Sequence, residues 1–378
     1  MLLSSLNQSI PESPLITHVI YSGLGGHSAV LIALLKSPGF ATYNHYVIFA
    51  GVERPNPFTI SEITSFGYSY SYVSRHNSLF SYLSFVHQVA IKIKSSSSSI
   101  TFFHGLSCVP ASLWLRSPSI VRDTQNQELK SPADWLLLLL ANLFCSRLVF
   151  LTPLSATSAR QKLKIFFRTN KVCIIPNPVD SKMFKPKEFQ PIALTSNVPI
   201  NLGMVSRLQP IKDHTTLLEG LYLLTKLDPS RQYVLHIAGD GPTRQDIHNY
   251  INSYSLSDQV IMYGLLSPSE VSRLLQSLDI YIHLTEGETM SNSILQAMAT
   301  SLPIIATDVS GVNNLLTYQE AVLIPPRCAD ALVAAIIKLV ENPSFSSRLA
   351  SNSFSKVQSI NSPESVSRLY LNIFDQIL

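Results

Sequence analysis

The feature that most constrains the fold is an alternation of short apolar runs with longer segments of helical periodicity. The runs are brief, rich in β-branched residues and bounded by turn residues, as buried strands are. In the first half of the chain they are 16–21, 46–50, 100–103, 148–151 and 172–175. Strands that alternate with helices predict parallel sheets covered by helices on both faces.

The pattern restarts after a proline-rich stretch at 176–199, which we interpret as a hinge. A second series of strands is predicted at 201–205, 233–238, 259–263, 279–284, 303–307 and 321–324. A chain of 378 residues is also too long for one core of ordinary size. We therefore predict the α/β class, with two doubly wound Rossmann-like domains at 1–190 and 191–359 that face a cleft. A last helix near 360–378 is expected to pack back on the first domain.

Composition excludes several classes of protein. The net charge of +4 is small and spread along the chain, which argues against a nucleic-acid binder. The four cysteines lie far apart and form no CxxC pair, so neither a disulfide framework nor structural zinc is expected. The N-terminus has no signal-peptide pattern, and the apolar segment 135–145 is about half the length of a spanning helix. We expect a cytoplasmic protein.

Two segments of the second half follow predicted strands and suit phosphate groups. Arg207 and Lys212 stand five residues apart around a proline-containing turn before a helix. A guanidinium fork and an ammonium near a helix N-terminus suit a diphosphate, although a solvated basic turn is the alternative. In Gly239-Asp240-Gly241-Pro242, glycine allows the backbone to approach a ligand closely, and a simple tight turn explains it equally well.

The third segment is a polar loop that runs into an apolar helix. Glu288 lies in this loop and can accept hydrogen bonds from sugar hydroxyls, or serve only as a partner of the helix dipole. The next four residues bring backbone amides to the helix N-terminus, where anions bind; they are Thr289, Met290, Ser291 and Asn292.

In this order, the three segments resemble the retaining GT-B glycosyltransferases of family 4 (glycosyl transferases group 1). The helix continues as Gln296-Ala297-Met298-Ala299, as in that family. Pro176-Asn177-Pro178-Val179-Asp180 resembles its hinge signature Pro-Asn-Gly-Val-Asp, with Pro178 in place of glycine. The resemblance covers roughly residues 15 to 375 and is looser in the first half.

The resemblance implies a nucleotide-sugar donor and a role for each matching residue. Arg207 and Lys212 would hold the donor diphosphate in the second domain, and the first domain would take the acceptor, a glycan, a lipid-linked sugar or a small molecule. The family's Glu-x7-Glu pair maps onto Glu288 and Gln296, which would bond the transferred sugar and the ribose. A register from Glu286 would instead place apolar Ile294 at the second position.

Matches in the first half are weaker. Gly25 and Gly26 follow the first strand and, by the resemblance, let the backbone approach the donor phosphate. His104 ends a strand and is expected to face the cleft as a catalytic residue, with a structural role as the alternative. The family's sugar-contacting histidine would lie on the next strand, but the stretch 120–125 contains no histidine.

No Asp-x-Asp triplet occurs in the sequence, so we expect metal-independent transfer without a cofactor. A nucleotide-sugar 2-epimerase, a phosphorylase and a catalytically silent GT-B subunit stay open as alternatives.

The segment 159–171 carries five basic residues and no acidic one. On a continuous helix, Arg160, Lys164, Arg168 and Lys171 would form one stripe, with Leu163, Phe166 and Phe167 on another side. Such a helix can lie on an anionic membrane surface, or simply pack on the first sheet.

Overall fold

The computed structural model describes residues 13–22, 26–75, 79–188 and 198–378. Within them the chain forms two parallel sheets, each flanked by helices. This confirms the prediction of two doubly wound α/β domains. Gly25, one of the predicted donor-binding glycines, lies outside the described residues.

The first sheet takes up the N-terminal half of the chain. Its strands are β1 (Leu15–Tyr21), β2 (Asn44–Gly51), β3 (Ser69–Ser74), β4 (Ile100–Phe103), β5 (Ser119–Asp123), β6 (Arg147–Phe150) and β7 (Val172–Ile174). The helices between them are α1 (Gly26–Leu35), α2 (Pro57–Ser65), α3 (Leu79–Ser95), α4 (Pro132–Phe144) and α5 (Pro153–Leu163). The spatial order is β3-β2-β1-β4-β5-β6-β7, with every pair parallel.

The second sheet follows the hinge. Its strands are β8 (Ile200–Val205), β9 (Tyr233–Ala238), β10 (Val260–Gly264), β11 (Ile280–His283), β12 (Ile304–Thr307) and β13 (Val322–Ile324). The helices are α6 (His214–Leu227), α7 (Arg244–Ser253), α8 (Pro268–Ser277), α9 (Asn292–Ala299), α10 (Ala329–Glu341), α11 (Pro343–Ile360) and α12 (Pro363–Ile377). The spatial order is β10-β9-β8-β11-β12-β13, again with every pair parallel.

Each sheet reverses its strand order once, between β1 and β4 in the first and between β8 and β11 in the second. Loops that leave neighbouring strands at such a point diverge and open a crevice at the carboxyl edge of the sheet. In the second sheet these are the loop after β8, which holds Arg207 and Lys212, and the loop after β11, which holds Glu288. The topology therefore brings Lys212 next to Glu288, although the two are 76 residues apart in sequence.

Helix α12 belongs to the core of the first domain although it ends the chain. Val366, Tyr370, Ile373 and Phe374 are buried in one apolar cluster with residues of α1 and of the first sheet. The cluster forms because the amphipathic pattern of α12 leaves one apolar face that must be covered.

Strand β3 was not predicted from the sequence. Of its six residues, Ser-Tyr-Ser-Tyr-Val-Ser, three are exposed and one is buried, and they lack the apolar run by which the other strands were recognised. It is the edge strand of the first sheet, where only one side pairs and polar side chains are tolerated.

The prediction of a continuous basic helix over 159–171 is wrong. Helix α5 ends at Leu163, and Lys164 has a positive φ of 50°, which turns the chain out of the helix. The amine of Lys171 donates to the carbonyls of Leu143 and Cys145 at the end of α4, at 3.0 and 2.8 Å. The four basic residues therefore do not form one helical stripe.

The apolar segment 135–145 lies in α4, whose residues Leu138 and Ala141 are buried in the core of the first domain. Among the described residues, no helix is both long and apolar enough to cross a bilayer.

Candidate active site

A cavity of about 510 Å³ lies between the two domains. From the second domain it is lined by the loops after β8, β9 and β11 and by the start of α9; from the first, by α1, α2 and the end of β5. Eight of the predicted site residues line it: Gly26, Arg207, Lys212, Glu288, Met290, Ser291, Asn292 and Gln296. Gly241, Thr289 and His104 do not appear on its walls.

The centre of the second-domain wall is a cluster of Lys212, Glu288 and His283. The Lys212 amine donates to a carboxylate oxygen of Glu288, and His283 Nε2 lies 3.4 Å from the same amine. His283 Nε2 is also 3.6 Å from Glu288 Oε2, and the Tyr281 hydroxyl meets His283 Nδ1 at 3.3 Å. The carboxylate is thus held in place by a cation and a buried ring.

The ionisation states of this cluster follow from its surroundings. Burial opposes ionisation of Glu288, but the hydrogen bond from His283 and the charge of Lys212 outweigh it and lower the pKa of Glu288 to about 2. Burial, reinforced by the charge of Lys212, lowers the pKa of His283 to about 4. At neutral pH the pair is a carboxylate beside a neutral imidazole.

Backbone contacts fix the loop that carries Glu288. Its amide donates to the carbonyl of Ser310 at 3.2 Å, and its carbonyl accepts from Asn126 Nδ2 of the first domain at 3.0 Å. Gly311 has φ 89°, and a Cβ there would collide with the Glu288 carbonyl. A glycine is therefore needed for the loop to pass so close.

The neighbouring acid, Glu286, points elsewhere. It accepts from Arg327 Nε at 2.7 Å in an exposed ion pair, and it is absent from the cavity wall. Ile294, eight positions further on, is fully buried in the second-domain core, whereas Gln296 lines the cavity. Only the register that starts at Glu288 puts both of its members in the cleft.

Asn292 and Met290 face the first domain as well as the cavity. Asn292 Nδ2 donates to the Gly26 carbonyl at 3.1 Å, and Asn177 Nδ2 donates to Asn292 Oδ1 at 3.0 Å. The backbone amide of Asn177 also donates to the sulfur of Met290 at 3.1 Å. A Cβ on Gly26 would collide with the Asn292 amide. This glycine therefore permits the close approach of α1 to α9.

The glycines after β9 serve the packing of two loops. Gly239 has φ 141° and Gly241 has φ 157°, and a Cβ on either would collide with the carbonyl of Ser206 or of Leu208. The turn thereby holds the segment 206–208 in place, while its members Gly239 and Asp240 reach the cavity. Gly241 thus lies against the backbone of Leu208, the residue after Arg207.

The expectation that His104 faces the cleft is wrong. Its ring is fully buried, stacks on Phe102 with ring centroids 4.3 Å apart, and meets His18 Nδ1 at 3.0 Å. Arg122, on the neighbouring strand β5, reaches the cavity wall, and its guanidinium contacts the His104 ring at 3.4 Å. The stack on Phe102 and the contact with His18 hold the His104 ring below the cleft.

Three residues at the site were missed by sequence reasoning. His283 ends β11 within an apolar run, and only its position at the end of a strand could have indicated a functional role. Arg122 stands in the stretch where a histidine was sought. His27, to which no role was assigned, lines the cavity and contacts the Thr124 hydroxyl at 3.0 Å. In each case the residue could have been predicted from its position at the carboxyl end of a parallel strand or in the loop after it.

The fold and this site define a two-domain GT-B architecture with a polar crevice between its halves. Residues 186–356 match the family model of the glycosyl transferases group 1, and this segment contains Arg207, Lys212, Glu288 and Gln296.

Two curated relatives show the sequence similarity. The chain is 29% identical over 208 residues to the phosphatidylinositol N-acetylglucosaminyltransferase GPI3 subunit of Saccharomyces cerevisiae, which covers 53% of this chain and 42% of that protein. It is 28% identical over 149 residues to alpha-D-kanosaminyltransferase of Streptomyces kanamyceticus, covering 39% and 38%. The chain thus matches less than half of the length of these relatives.

Solved structures extend the similarity to both domains. The crystal structure of Anabaena HepE in complex with UDP and glucose superposes with a TM-score of 0.79 at 17% identity, covering 96% of this chain and 100% of that one. A glycosyltransferase from Rickettsia africae gives a TM-score of 0.75 at 18% identity, covering 97% and 98%. At this level of identity the likeness shows the fold, which is GT-B.

Proposed function

We propose that the chain is a retaining, metal-independent glycosyltransferase of family 4 that moves a sugar from a nucleotide-diphosphate sugar to an acceptor. The observation that carries the proposal is the arrangement at the point where the second sheet reverses. There an exposed Arg207, the Lys212–Glu288 pair and the start of α9 face one interdomain cavity.

Arg207 and Lys212 supply positive charge for the leaving diphosphate. Among the described residues, Arg207 has no carboxylate within ion-pair distance, so its guanidinium is free to bind phosphate oxygens. Lys212 is paired with Glu288 and can shift toward a bound diphosphate. Charge-assisted hydrogen bonds of this kind strengthen as negative charge develops on the leaving group.

Glu288 acts as a hydrogen-bond acceptor for hydroxyls of the transferred sugar. A carboxylate with a pKa of about 2 is a weak base at neutral pH, so it is poorly suited to take a proton from the acceptor. Gln296, eight residues further along the chain in α9, offers a donor and an acceptor to the ribose.

Retention then follows from attack on the same face that the diphosphate leaves. The bond from the anomeric carbon to the phosphate oxygen breaks, and the bond to the acceptor oxygen forms. The acceptor proton passes to the departing phosphate, which leaves as the nucleoside diphosphate. Support for this route is that neither Glu288 nor His283, with a pKa of about 4, is a strong base at neutral pH.

Metal independence is proposed because the sequence has no Asp-x-Asp triplet and because cations, among them Arg207 and Lys212, face the cavity. Transfer that survives excess EDTA is the expected result. Loss of activity in EDTA, restored by manganese or magnesium, would contradict it.

We further propose a lipid-linked acceptor and peripheral contact with an anionic membrane. Relatives whose names include a lipid support this. They include an alpha-monoglucosyldiacylglycerol synthase of Streptococcus pneumoniae and a UDP-Gal:alpha-D-GlcNAc-diphosphoundecaprenol alpha-1,3-galactosyltransferase of Escherichia coli. On this chain, Ile165 is 91% and Phe166 60% exposed, beside basic Arg160, Lys162 and Lys164. Exposed apolar side chains flanked by cations suit an anionic lipid surface.

Thermal unfolding of the full chain with a panel of UDP-, GDP-, ADP- and dTDP-sugars tests the donor. A ligand at a hundred times its dissociation constant stabilises a fold by about 2.7 kcal/mol, which is readily seen. Release of the nucleotide with and without acceptor then separates transfer from mere binding, and the anomeric configuration of the product tests retention. A panel that leaves the unfolding temperature unchanged would sink the proposal.

A further inference from the structure

Arg122 is a buried cation of the first domain, and the described residues provide no counter-charge for it. It lies near the end of β5 on the cavity wall and is 0% exposed. None of the carboxylates in the described part of the chain lies within ion-pair distance of it. The next residue, Asp123, forms an ion pair with Lys130 at 2.7 Å, and both side chains are fully buried. A buried charge without a partner is costly, which calls for an anion from outside the chain.

The groups that the Arg122 side chain contacts are neutral. The guanidinium donates to Asn177 Oδ1 and, at 3.4 Å, to His104 Nδ1. Its Nε has no acceptor among the described residues. Burial raises the pKa of Tyr370 to about 12, against the opposing charge of Arg122, so this hydroxyl also stays uncharged.

A chain of three buried histidines fixes the direction of Arg122. His45 Nε2 must donate to the Phe40 carbonyl, at 2.8 Å, because a carbonyl only accepts. His45 Nδ1 therefore accepts from His18 Nε2 at 2.9 Å, and His18 Nδ1 accepts from His104 Nε2 at 3.0 Å. His104 Nδ1 is therefore left as an acceptor, and the Arg122 guanidinium donates to it. The order of donors is consistent with three neutral rings, since burial lowers the pKa of each.

Arg122 lines the same cavity as Arg207, a cation of the other domain. Burial, followed by the charges of Arg122 and Arg207, lowers the pKa of His27 to about 4. Both arginines thus act on one ring in the cavity wall. An anion in this part of the cleft would be held from both domains.

We propose that Arg122 is an anion-binding residue of the cleft, which holds phosphoryl oxygens of a substrate from the first domain, opposite Arg207. His45, His18 and His104 are positioning residues that aim the guanidinium. The inference rests on the proposed function and adds a phosphate contact that the second domain alone does not provide. The phosphate is either the donor's diphosphate or one carried by the acceptor.

Isothermal titration calorimetry of the full chain with inorganic pyrophosphate and with UDP tests whether Arg122 binds the phosphate of the donor. Arg122→Gln is expected to weaken both at least about tenfold, in the range of a lost charge-assisted hydrogen bond. The matched control is Arg147→Gln, because Arg147 also lies on a strand of the first sheet but contacts the Ser146 carbonyl and Gln376, away from the cavity. The control should bind as the wild type does.

Transfer kinetics test the acceptor source. If pyrophosphate binding is unchanged in Arg122→Gln, the KM for a phosphate-bearing acceptor should rise at least about tenfold while that for a neutral sugar acceptor stays constant. No change in either experiment overturns the inference. If Arg207→Ala loses pyrophosphate binding in the same series, the proposed function stands even when the inference about Arg122 fails. If the wild type binds neither pyrophosphate nor any nucleotide-sugar, both the proposed function and the inference are contradicted.

A second pair of variants covers the case in which Arg122→Gln does not fold. Asn177→Asp places a carboxylate against the intact guanidinium and neutralises it in place, while Asn177→Ser loses the same amide donors without adding charge. Asn177→Asp should bind pyrophosphate at least about tenfold more weakly than Asn177→Ser. If the acceptor carries the phosphate, its KM should instead be at least about tenfold higher in Asn177→Asp than in Asn177→Ser. Equal values in both measurements would overturn the inference.

Discussion

At the scale of single residues, the site is decided by which side chains are paired and which are free. Glu286 is paired on the surface with Arg327, whereas Glu288 is paired inside the cleft with Lys212. Two acids of the same loop, two positions apart, therefore have different partners, and only Glu288 lines the cleft.

Replacing Glu288 by alanine should abolish transfer, because the sugar hydroxyls lose their acceptor and Lys212 loses its partner. Gln296→Glu should be tolerated, since the side chain faces the cavity and keeps an acceptor oxygen. Turnover in the presence of saturating donor is the measurement. Glu286→Ala is the matched control and should stay near wild-type activity; if it is the more damaging change, Glu288 is not the sugar-binding acid.

Arg207→Ala and Lys212→Ala should each lower turnover roughly ten- to a hundredfold while the chain stays folded. Each change removes a charge-assisted hydrogen bond worth about 1.5–3 kcal/mol if the bond tightens in the transition state. Lys226→Ala, in which a surface lysine that stacks on Tyr222 is lost, serves as the control. Near-normal turnover in both cavity variants would exclude the diphosphate assignment.

At the scale of elements, the end of α5 determines what the first domain presents to its surroundings. The turn at Lys164 leaves Ile165 and Phe166 projecting into solvent beside the basic side chains of α5. The exposed patch therefore begins directly after the end of the helix.

The double variant Ile165→Ser/Phe166→Ser should lose binding to anionic vesicles in co-sedimentation. The triple variant Arg160→Gln/Lys162→Gln/Lys164→Gln should lose it too, since each cation near an anionic surface contributes about 1 kcal/mol. Leu227→Ser removes a similarly exposed apolar side chain from the second domain and should have no effect. Equal binding of the wild type to neutral and anionic vesicles would show that the patch has no lipid role.

At the scale of the whole molecule, buried histidines in both domains link folding to pH. Burial is the largest cause that lowers the pKa of His27, His45, His214 and His283 from 6.5 to about 4. The unfolded chain binds more protons than the native one between these values. The histidines therefore favour the native state above pH 6.5, and this contribution is lost as the pH falls toward 4.

The unfolding temperature should consequently fall between about pH 6.5 and about pH 4, and Glu288, with its pKa of about 2, should extend the loss below pH 4.5. Differential scanning calorimetry across this range is the measurement. His45→Gln cannot titrate and should flatten the profile in the upper part of the range. A stability that is constant down to pH 4 would contradict the assignment of buried neutral rings.

Local sequence patterns determined the class of the fold, most strand positions and the second-domain segments that carry the site. Apolar periodicity and turn residues are properties of neighbours in sequence, and the carboxyl ends of parallel strands meet at one edge whatever the details. Arg207, Lys212 and Glu288 could therefore be assigned to one place from the sequence alone.

The remaining features of the site could not be predicted, because they depend on contacts between residues far apart in the chain. His104 is turned from the cleft by its stack on Phe102 and its bond to His18, and Arg122 takes the cavity wall instead. His283 belongs to the site because its ring contacts Lys212, which is 71 residues away in the sequence. Helix α5 stops at a backbone turn that its basic and apolar pattern does not encode. Burial and pairing of these groups are set by packing between elements, which composition and spacing along the chain do not specify.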